Sequence, residues 1–324
     1  MATEELRGGA AGPALALDLI TLYDPAFWGV ADREGLLALD PRRTWEQMLD
    51  TLMGLGITGV EVTFPPGDLD TARRAFGSNA GLLAALAERE LQVISGYFSG
   101  MDSLTRPHDR QVTEALVTAA GEYAAAVGAA GGRIVVGGMP SLDASVERGG
   151  RFVDLDYLKV LAELVNRVAA AVAEQGLSYA MHPEFGSVFC RRREIELLML
   201  LTDPDYVGFC PDTAHITLAG GDPVALTEQL ADRLLLTHWK DAAGRFRGAL
   251  PEGEARHGVI AQHFKQVGEG AVDWPAWQRL LDRVDYRGWC VLELDSGADP
   301  VGQIGRARDF VRGLSRSGAG LERE

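Results

Sequence analysis

Short apolar runs alternate with amphipathic or alanine-rich stretches along nearly the whole chain of 324 residues, and this alternation limits the fold more than any other feature. The apolar runs have the length of strands and the stretches between them that of helices, which is typical of parallel βα units. The pattern predicts eight strands, over residues 14–22, 57–63, 91–98, 132–138, 177–182, 206–212, 233–239 and 286–295. Eight such units in this length favour a closed (β/α)8 barrel over a doubly wound sheet.

The barrel is expected to be a single domain over residues 13–314. The N-terminal residues 1–12 and the polar, glycine-containing tail 315–324 are expected to be flexible. The polar segment 241–270 is longer than the usual connection after a strand, and loops of this length are often lids or contact surfaces.

The composition is that of a globular protein, with 47% hydrophobic and 24% charged residues. The net charge is −15 and no block of Lys or Arg stands out, which disfavours a nucleic-acid partner. Three scattered cysteines predict reduced thiols, with Cys210 and Cys290 buried in apolar strands. The chain has no signal-peptide pattern and no apolar stretch that could span a bilayer, so we predict a cytoplasmic protein without a membrane partner.

Three motifs in the second half of the chain carry metal-ligand chemistry, and each follows an apolar, strand-like run. They contain Asp212 with His215, then His238, and then Glu293. In an α/β barrel the carboxyl ends of all strands share one rim, so these side chains can converge. Carboxylate and imidazole together suit Mn²⁺, Co²⁺, Zn²⁺ or Fe²⁺ better than Ca²⁺. A carboxylate in an apolar strand, as at Glu293, needs a cation or hydrogen bonds.

Neighbouring positions add further candidates. His182 and Glu184 follow the fifth strand, share a face if that strand stays extended through the intervening proline, and could each supply a fourth ligand. Lys240 lies two residues beyond the histidine of the seventh strand, so it could reach a substrate oxygen, or it could pair with Asp241 on the surface. Glu61 ends the second strand and is expected to form hydrogen bonds at the barrel mouth or to contact substrate.

These motifs resemble those of the xylose isomerase-like superfamily of sugar isomerases, epimerases and dehydratases, over residue 15 to about residue 314. The matching segments are GVE at 59–61, DTAH at 212–215, HWKD at 238–241, GEGAVDW at 268–274 and YRGWCVLE at 286–293. In this order they are specific for the superfamily, although not for one substrate.

The resemblance implies a TIM barrel with one divalent metal held by two glutamates, an aspartate and a histidine. Mn²⁺ is favoured, with Co²⁺, Mg²⁺, Zn²⁺ and Fe²⁺ as alternatives. By motif match, Asp212, His238 and Glu293 take three of these ligand positions. The fourth is assigned to Glu184, which also serves as a base, with His182 as the alternative ligand.

The inosose dehydratase branch looks nearest, but it typically reads His-x-His-x-Gly-Thr where this chain has HPEFGS at 182–187. Cys190 also stands where a later glutamate is expected. A second resemblance is to the large subunit of bacterial C-glycoside deglycosidases, which act on 3-keto glycosides and bind a small β-sandwich partner. The segments 24–29 and 241–270 would leave room for a bulky aglycone or such a partner.

The predicted reaction is metal-dependent removal of a proton next to the carbonyl of a keto sugar or keto-inositol. Glu184 or Glu293 is the expected base, and His215 and Lys240 are expected to donate hydrogen bonds. Glu61 and His182 complete the expected substrate contacts. A lyase is favoured, either a dehydratase or a 3-keto-C-glycoside deglycosidase, and a sugar isomerase or epimerase is the alternative.

Two more distant alternatives are a catalytically silent barrel subunit and a metal-dependent phosphodiester nuclease. The protein is expected to form homo-oligomers, with or without a small partner subunit.

Overall fold

The structure is a computed structural model that describes residues 14–142, 153–251, 255–295, 297 and 299–318. The segments predicted to be flexible, 1–12 and the end of the tail from 319, lie outside these ranges. The last helix continues to Gly318, beyond the predicted domain end at residue 314. Within the described ranges, no helix is both long and apolar enough to cross a membrane.

The strands are, in chain order, β1 Ala14–Asp18, β2 Gly59–Val62, β3 Gln92–Phe98, β4 Ile134–Gly137, β5 Ser178–Met181, β6 Val207–Phe209, β7 Thr237–Trp239, β8 Asp241–Ala242, β9 Phe264–Lys265 and β10 Trp289–Leu292. Eight of them form one parallel sheet in the order β6-β5-β4-β3-β2-β1-β10-β7, and β8 pairs with β9 in a separate antiparallel ribbon. Parallel bridges from Phe209 to Leu234 and from Asp212 to His238 join the two outer strands. The predicted (β/α)8 barrel is therefore confirmed.

The helices on the outside of the barrel are α1 Pro25–Trp28, α2 Arg33–Leu37, α3 Pro41–Leu55, α4 Leu69–Phe76, α5 Asn79–Ala87, α6 Arg110–Ala129, α7 Leu155–Ala173, α8 Arg192–Leu201, α9 Thr213–Leu218, α10 Pro223–Gln229, α11 Ala255–Ala261, α12 Trp274–Arg283 and α13 Pro300–Gly318. Aspartate caps begin most of them. Asp40, for example, accepts a hydrogen bond from Arg43 N ahead of Pro41, and α3 ends at Gly56 in the left-handed conformation with φ 63°.

Small and branched side chains fill the barrel interior, and a larger apolar layer lies between strands and helices. The buried interior residues are Ala16, Ile94, Ile134, Val136, Ala180, Cys210, Leu236 and Val291. They come from most of the strands, because alternate residues of a barrel strand point inward. All three cysteines are buried free thiols, as predicted for Cys210 and Cys290.

The segment predicted as a long polar loop, 241–270, contains β8, α11 and β9. Asp241 anchors it and is fully buried, as is Lys240, so the alternative of a surface pair between them is wrong. Its carboxylate accepts hydrogen bonds from the amides of Gly268 and Gly270 and from the Trp274 indole, at 3.1, 3.0 and 2.7 Å. A Cβ at Gly270 would lie 2.1 Å from Asp241 Oδ1, so only glycine permits this close approach.

Candidate active site

Polar side chains lie directly above the apolar interior of the barrel, at the carboxyl ends of the strands. Five interior residues are followed two positions later by a buried or nearly buried polar residue, which points to the same side of its strand. The pairs are Ala16 with Asp18, Ala180 with His182, Cys210 with Asp212, Leu236 with His238, and Val291 with Glu293. The polar residues thus lie at the carboxyl ends of the barrel strands, which is where the active sites of α/β barrels are located.

Four of these residues form what we call the central cluster: His182, Asp212, His238 and Glu293. Each offers one ligand atom, and the four atoms lie within 4.8 Å of one another. His182 Nε2 lies 3.6 Å from Asp212 Oδ2, and His238 Nδ1 lies 2.7 Å from Glu293 Oε2. The backbone places two of them side by side, since His238 N donates to Pro211 O at 3.0 Å.

Several buried polar atoms of the central cluster have no hydrogen-bond partner. They are both ring nitrogens of His182 and Oδ2 of Asp212. A buried polar atom without a partner is costly, and converging atoms of this kind are the donor set that a divalent cation satisfies. Two imidazoles and two carboxylates therefore fit a transition metal of the Mn²⁺ to Zn²⁺ series.

A second group overlaps the central cluster and brings in two more carboxylates, those of Asp18 and Glu61. Glu61 Oε1 lies 2.9 Å from His238 Nε2, and Ser95 donates a hydrogen bond to the other oxygen of Glu61. Burial, together with the carboxylates of Glu61 and Glu293, raises the pKa of Asp18 well above its ordinary value. Asp18 and Glu61 therefore extend the rim on the β1–β2 side.

Lys240 is fully buried beside Glu293. Its Nζ donates to Glu293 Oε1 at 2.6 Å and to Asp295, and lies 3.9 Å from the centre of the Phe264 ring. Burial raises the pKa of Asp295 to about 8, whereas Lys240 and His238 hold the pKa of Glu293 well below its ordinary value against the opposing effect of burial. Both oxygens of Glu293 are thus engaged, one by Lys240 and one by His238.

His215 lies in α9, where Asp212 caps the helix and accepts a hydrogen bond from His215 N at 2.7 Å. Its Nδ1 accepts a hydrogen bond from Phe185 N at 2.8 Å. Burial lowers the pKa of His215 to about 3, so the ring is neutral. Because Nδ1 acts as an acceptor, the proton of the neutral ring belongs to Nε2, which can donate a hydrogen bond.

Glu184 lies outside the central cluster, although the sequence assigned it as the fourth ligand. Its Oε2 is 3.2 Å from the Tyr97 hydroxyl, which also lies 3.3 Å from an oxygen of Asp102. Burial, followed by the charge of Glu184, raises the pKa of Asp102 to about 8. These three residues form a separate acidic group on the β3–β5 side, which we call the Tyr97 group, and the alternative ligand His182 occupies the central cluster instead.

The chain matches the model of the xylose isomerase-like TIM barrel over residues 49–314. It belongs to this family. An inosose dehydratase of Clostridium beijerinckii is 25% identical over 286 residues, which cover 85% of this chain and 91% of that protein.

Two solved structures share the fold. The IOLI protein, solved with a bound zinc atom, has a TM-score of 0.69 at 12% identity and covers 93% of this chain and 99% of its own. The 3-keto-D-glucoside 4-epimerase YcjR of E. coli has a TM-score of 0.61 at 15% identity and covers 82% of this chain and 93% of its own. The chain is therefore similar in sequence to an inosose dehydratase and shares its fold with the IOLI protein and YcjR.

Two acidic members of the site were not selected from the sequence. Asp18 follows the interior residue Ala16 by two positions, so the spacing that marks the other rim residues could have found it. Asp102 lies just after a 3-10 turn, Ser99–Met101, and no periodicity marks it. Tyr97 also belongs to the site, because its hydroxyl joins Glu184 and Asp102.

Proposed function

We propose that this chain is a metal-dependent enzyme that removes a proton next to the carbonyl of a keto-inositol or keto sugar. The observation that carries the proposal is the convergence of four ligand atoms, from His182, Asp212, His238 and Glu293, within 4.8 Å. When bound there, a divalent metal supplies Lewis acidity at the carbonyl oxygen and makes the neighbouring C–H more acidic. Mn²⁺ is the metal we favour, and Zn²⁺, Co²⁺, Fe²⁺ and Mg²⁺ are the alternatives.

Glu184 is the base in this proposal. Glu293 is less suited, because Lys240 and His238 engage its two oxygens at 2.6 and 2.7 Å. Within the described residues, Glu184 forms no ion pair with a Lys or Arg, so its carboxylate is not engaged by such a cation. Burial, followed by the charge of Glu184, raises the pKa of Asp102 to about 8, so Asp102 carries a proton at neutral pH beside the base.

Hydrogen-bond donors and positioning residues complete the mechanism. His215 Nε2–H donates to the substrate oxygen on which negative charge develops, and the Phe185 amide at 2.8 Å fixes the tautomer that makes this possible. Lys240 acts through Glu293 rather than on substrate, since its ammonium group already donates hydrogen bonds to Glu293 and Asp295. Glu61 orients His238, because its Oε1 lies 2.9 Å from His238 Nε2.

A lyase outcome is favoured, because elimination needs a proton donor for the leaving group as well as a base. The protonated Asp102 and the Tyr97 hydroxyl lie beside Glu184 and can supply that proton. The similarity to inosose dehydratases over 85% of the chain supports the same choice. Isomerisation or epimerisation, in which the proton returns to a carbon atom, is the second candidate. Assembly into homo-oligomers, with or without a small partner subunit, stays a prediction.

The test is a metal-replete assay in D₂O with a keto-inositol, a 3-keto glucoside and a free ketose. We expect loss of water or of the aglycone from one of the first two, and deuterium on carbon in substrate or product. An isomeric ketose or epimer as the product would replace the lyase with the second candidate. Cleavage that incorporates ¹⁸O from water, without carbon-bound hydrogen exchange or loss, would refute proton abstraction altogether.

A further inference from the structure

A cavity of about 320 Å³ lies near the active site, and none of the four residues of the central cluster lines it. Its walls come from the loop after β5, from the end of α9 and from the segment that follows β8. Phe185 belongs both to the cavity and to the surroundings of the active site, because it lines the cavity while its backbone amide donates to His215 Nδ1 at 2.8 Å. The cavity has the size of a small-molecule site.

Three arginines line this cavity, Arg191, Arg245 and Arg256, so we call it the arginine cavity. Among the described residues that line it, none is acidic. Arginines around a partly enclosed space attract and bind an anionic group.

The arginines have different structural surroundings. Arg256 Nη1 donates to the carbonyls of Leu142 and Gly186, at 2.8 and 2.9 Å, so Arg256 holds the wall together. Arg245 lies against Gly220, where a Cβ would come within 2.7 Å of Arg245 Cδ. In the described part of the chain, no carboxylate forms an ion pair with Arg245, so its guanidinium charge is not neutralised there.

The rest of the wall is apolar and aromatic. The Phe185 and Phe246 rings lie 5.4 Å apart at 60°, and Phe246 also packs edge-on against His263. The amide of Phe246 donates to Leu218 O at 2.9 Å, which fixes this segment against α9. A ligand that fills the cavity must therefore present apolar surface as well as negative charge.

We propose that the arginine cavity binds the anionic end of the substrate, a carboxylate or phosphate carried on an aromatic or aliphatic body. This inference rests on the proposed function, since it places the reacting keto group at the central cluster and the charged end beyond Phe185. Arg191 is the N-cap of α8 and forms no side-chain cap, so the positive end of that helix also meets the cavity. The substrate is thus a keto sugar or keto-inositol that bears an anionic, apolar substituent.

Calorimetry on the chelator-treated full-length protein tests the binding step without turnover. The probes are phenyl phosphate, benzoate, inorganic phosphate and benzyl alcohol, and the variants are Arg245→Glu and Arg247→Glu. Arg247 is an exposed arginine on the same segment that does not line the cavity, so it is a matched control. We expect phenyl phosphate, benzoate or both to bind more tightly than inorganic phosphate and benzyl alcohol. The comparison of phenyl phosphate with benzoate then shows whether phosphate or carboxylate is the preferred anion.

The Arg245→Glu variant should weaken this binding at least ~10-fold, since a charged hydrogen bond is worth about 1.5–3 kcal/mol. The Arg247→Glu variant should change it by less than about a factor of two, because Arg247, although as exposed as Arg245, does not line the cavity and its charge is screened by salt. Equal effects of the two variants would overturn the proposal. So would equal binding of benzyl alcohol and phenyl phosphate, or no binding of any probe.

A kinetic comparison with the metal-loaded protein links the arginine cavity to the substrate. With Arg245→Glu, we expect KM to rise for a keto glycoside with an anionic aglycone and to stay unchanged for an uncharged one. An equal change for both substrates would overturn the role in substrate binding. Because the calorimetry uses metal-free protein, its result does not depend on whether the proposed reaction takes place.

Discussion

Replacement of Asp241 by alanine should destabilise the protein strongly, because this carboxylate anchors the segment after β8. It accepts hydrogen bonds from the amides of Gly268, Gly270 and Val272 and from the Trp274 indole, at 3.1, 3.0, 3.2 and 2.7 Å. The bonds from Val272 and Trp274 are buried, so these two donors would lose their partner without reaching water. Each such donor costs about 1–3 kcal/mol, and the pair gives about 2–6 kcal/mol.

Equilibrium unfolding of the metal-free protein in urea measures this loss, which should appear as a lower midpoint at an unchanged slope. The Asp241→Asn variant should also lose stability, because its NH₂ group must face N–H donors whichever way the amide turns. Asp70→Ala is the matched control, since the Asp70 side chain is 84% exposed and Arg73 is its one ion-pair partner among the described residues. Its effect should stay within about 1 kcal/mol. A loss below about 1 kcal/mol for Asp241→Ala would refute the reasoning.

The remaining predictions concern the active site. His182→Ala should remove most of the metal found by elemental analysis, whereas Glu184→Gln should keep the metal and lose turnover at least ~100-fold. Metal lost from Glu184→Gln but kept by His182→Ala would make Glu184 the ligand. Glu293→Gln should lose turnover at least ~100-fold with an unchanged circular dichroism spectrum, and a near wild-type rate would make Glu293 structural. The pKa of Asp102 is raised to about 8 in the folded state, so the folded protein holds this proton more tightly than the unfolded chain. Stability should therefore fall as pH rises from about 4 to 8. Asp102→Asn should flatten that fall in urea titrations of metal-free protein, and an unchanged pH profile would contradict the assignment.

Most of the fold could be predicted from the sequence, because eight apolar runs separated by helical stretches leave few alternatives. The ends of elements were harder to place. The first strand was expected over 14–22, but β1 stops at Asp18 and a 3-10 turn, Leu19–Leu22, follows it. That turn begins where Asp18 Oδ1 accepts a hydrogen bond from Ile20 N at 2.9 Å, and apolar character alone does not reveal such a local cap.

The rim residues were predictable where the strand alternation continues past the strand end. His238 and Lys240, two residues apart, both contact Glu293, as alternation requires. The same alternation predicted that Glu184 would lie beside His182 in the central cluster, but it does not. The chain turns after His182, where a proline follows and Ser187 N donates to Glu184 O at 3.0 Å, so Glu184 points to Tyr97 instead.

The charge balance of the rim explains why so many acidic side chains can coexist there. Five carboxylates lie within or next to the central cluster, those of Asp18, Glu61, Asp212, Glu293 and Asp295, and within the described residues Lys240 is the one lysine that pairs with any of them. Burial and mutual repulsion raise the pKa of Asp18 and of Asp295, which is the response of carboxylates that lack enough positive charge. Glu293 escapes this rise because Lys240 and His238 both contact it. A divalent cation among these side chains would supply the missing charge, so the electrostatics of the rim and the unpartnered atoms of His182 and Asp212 support the same metal site independently.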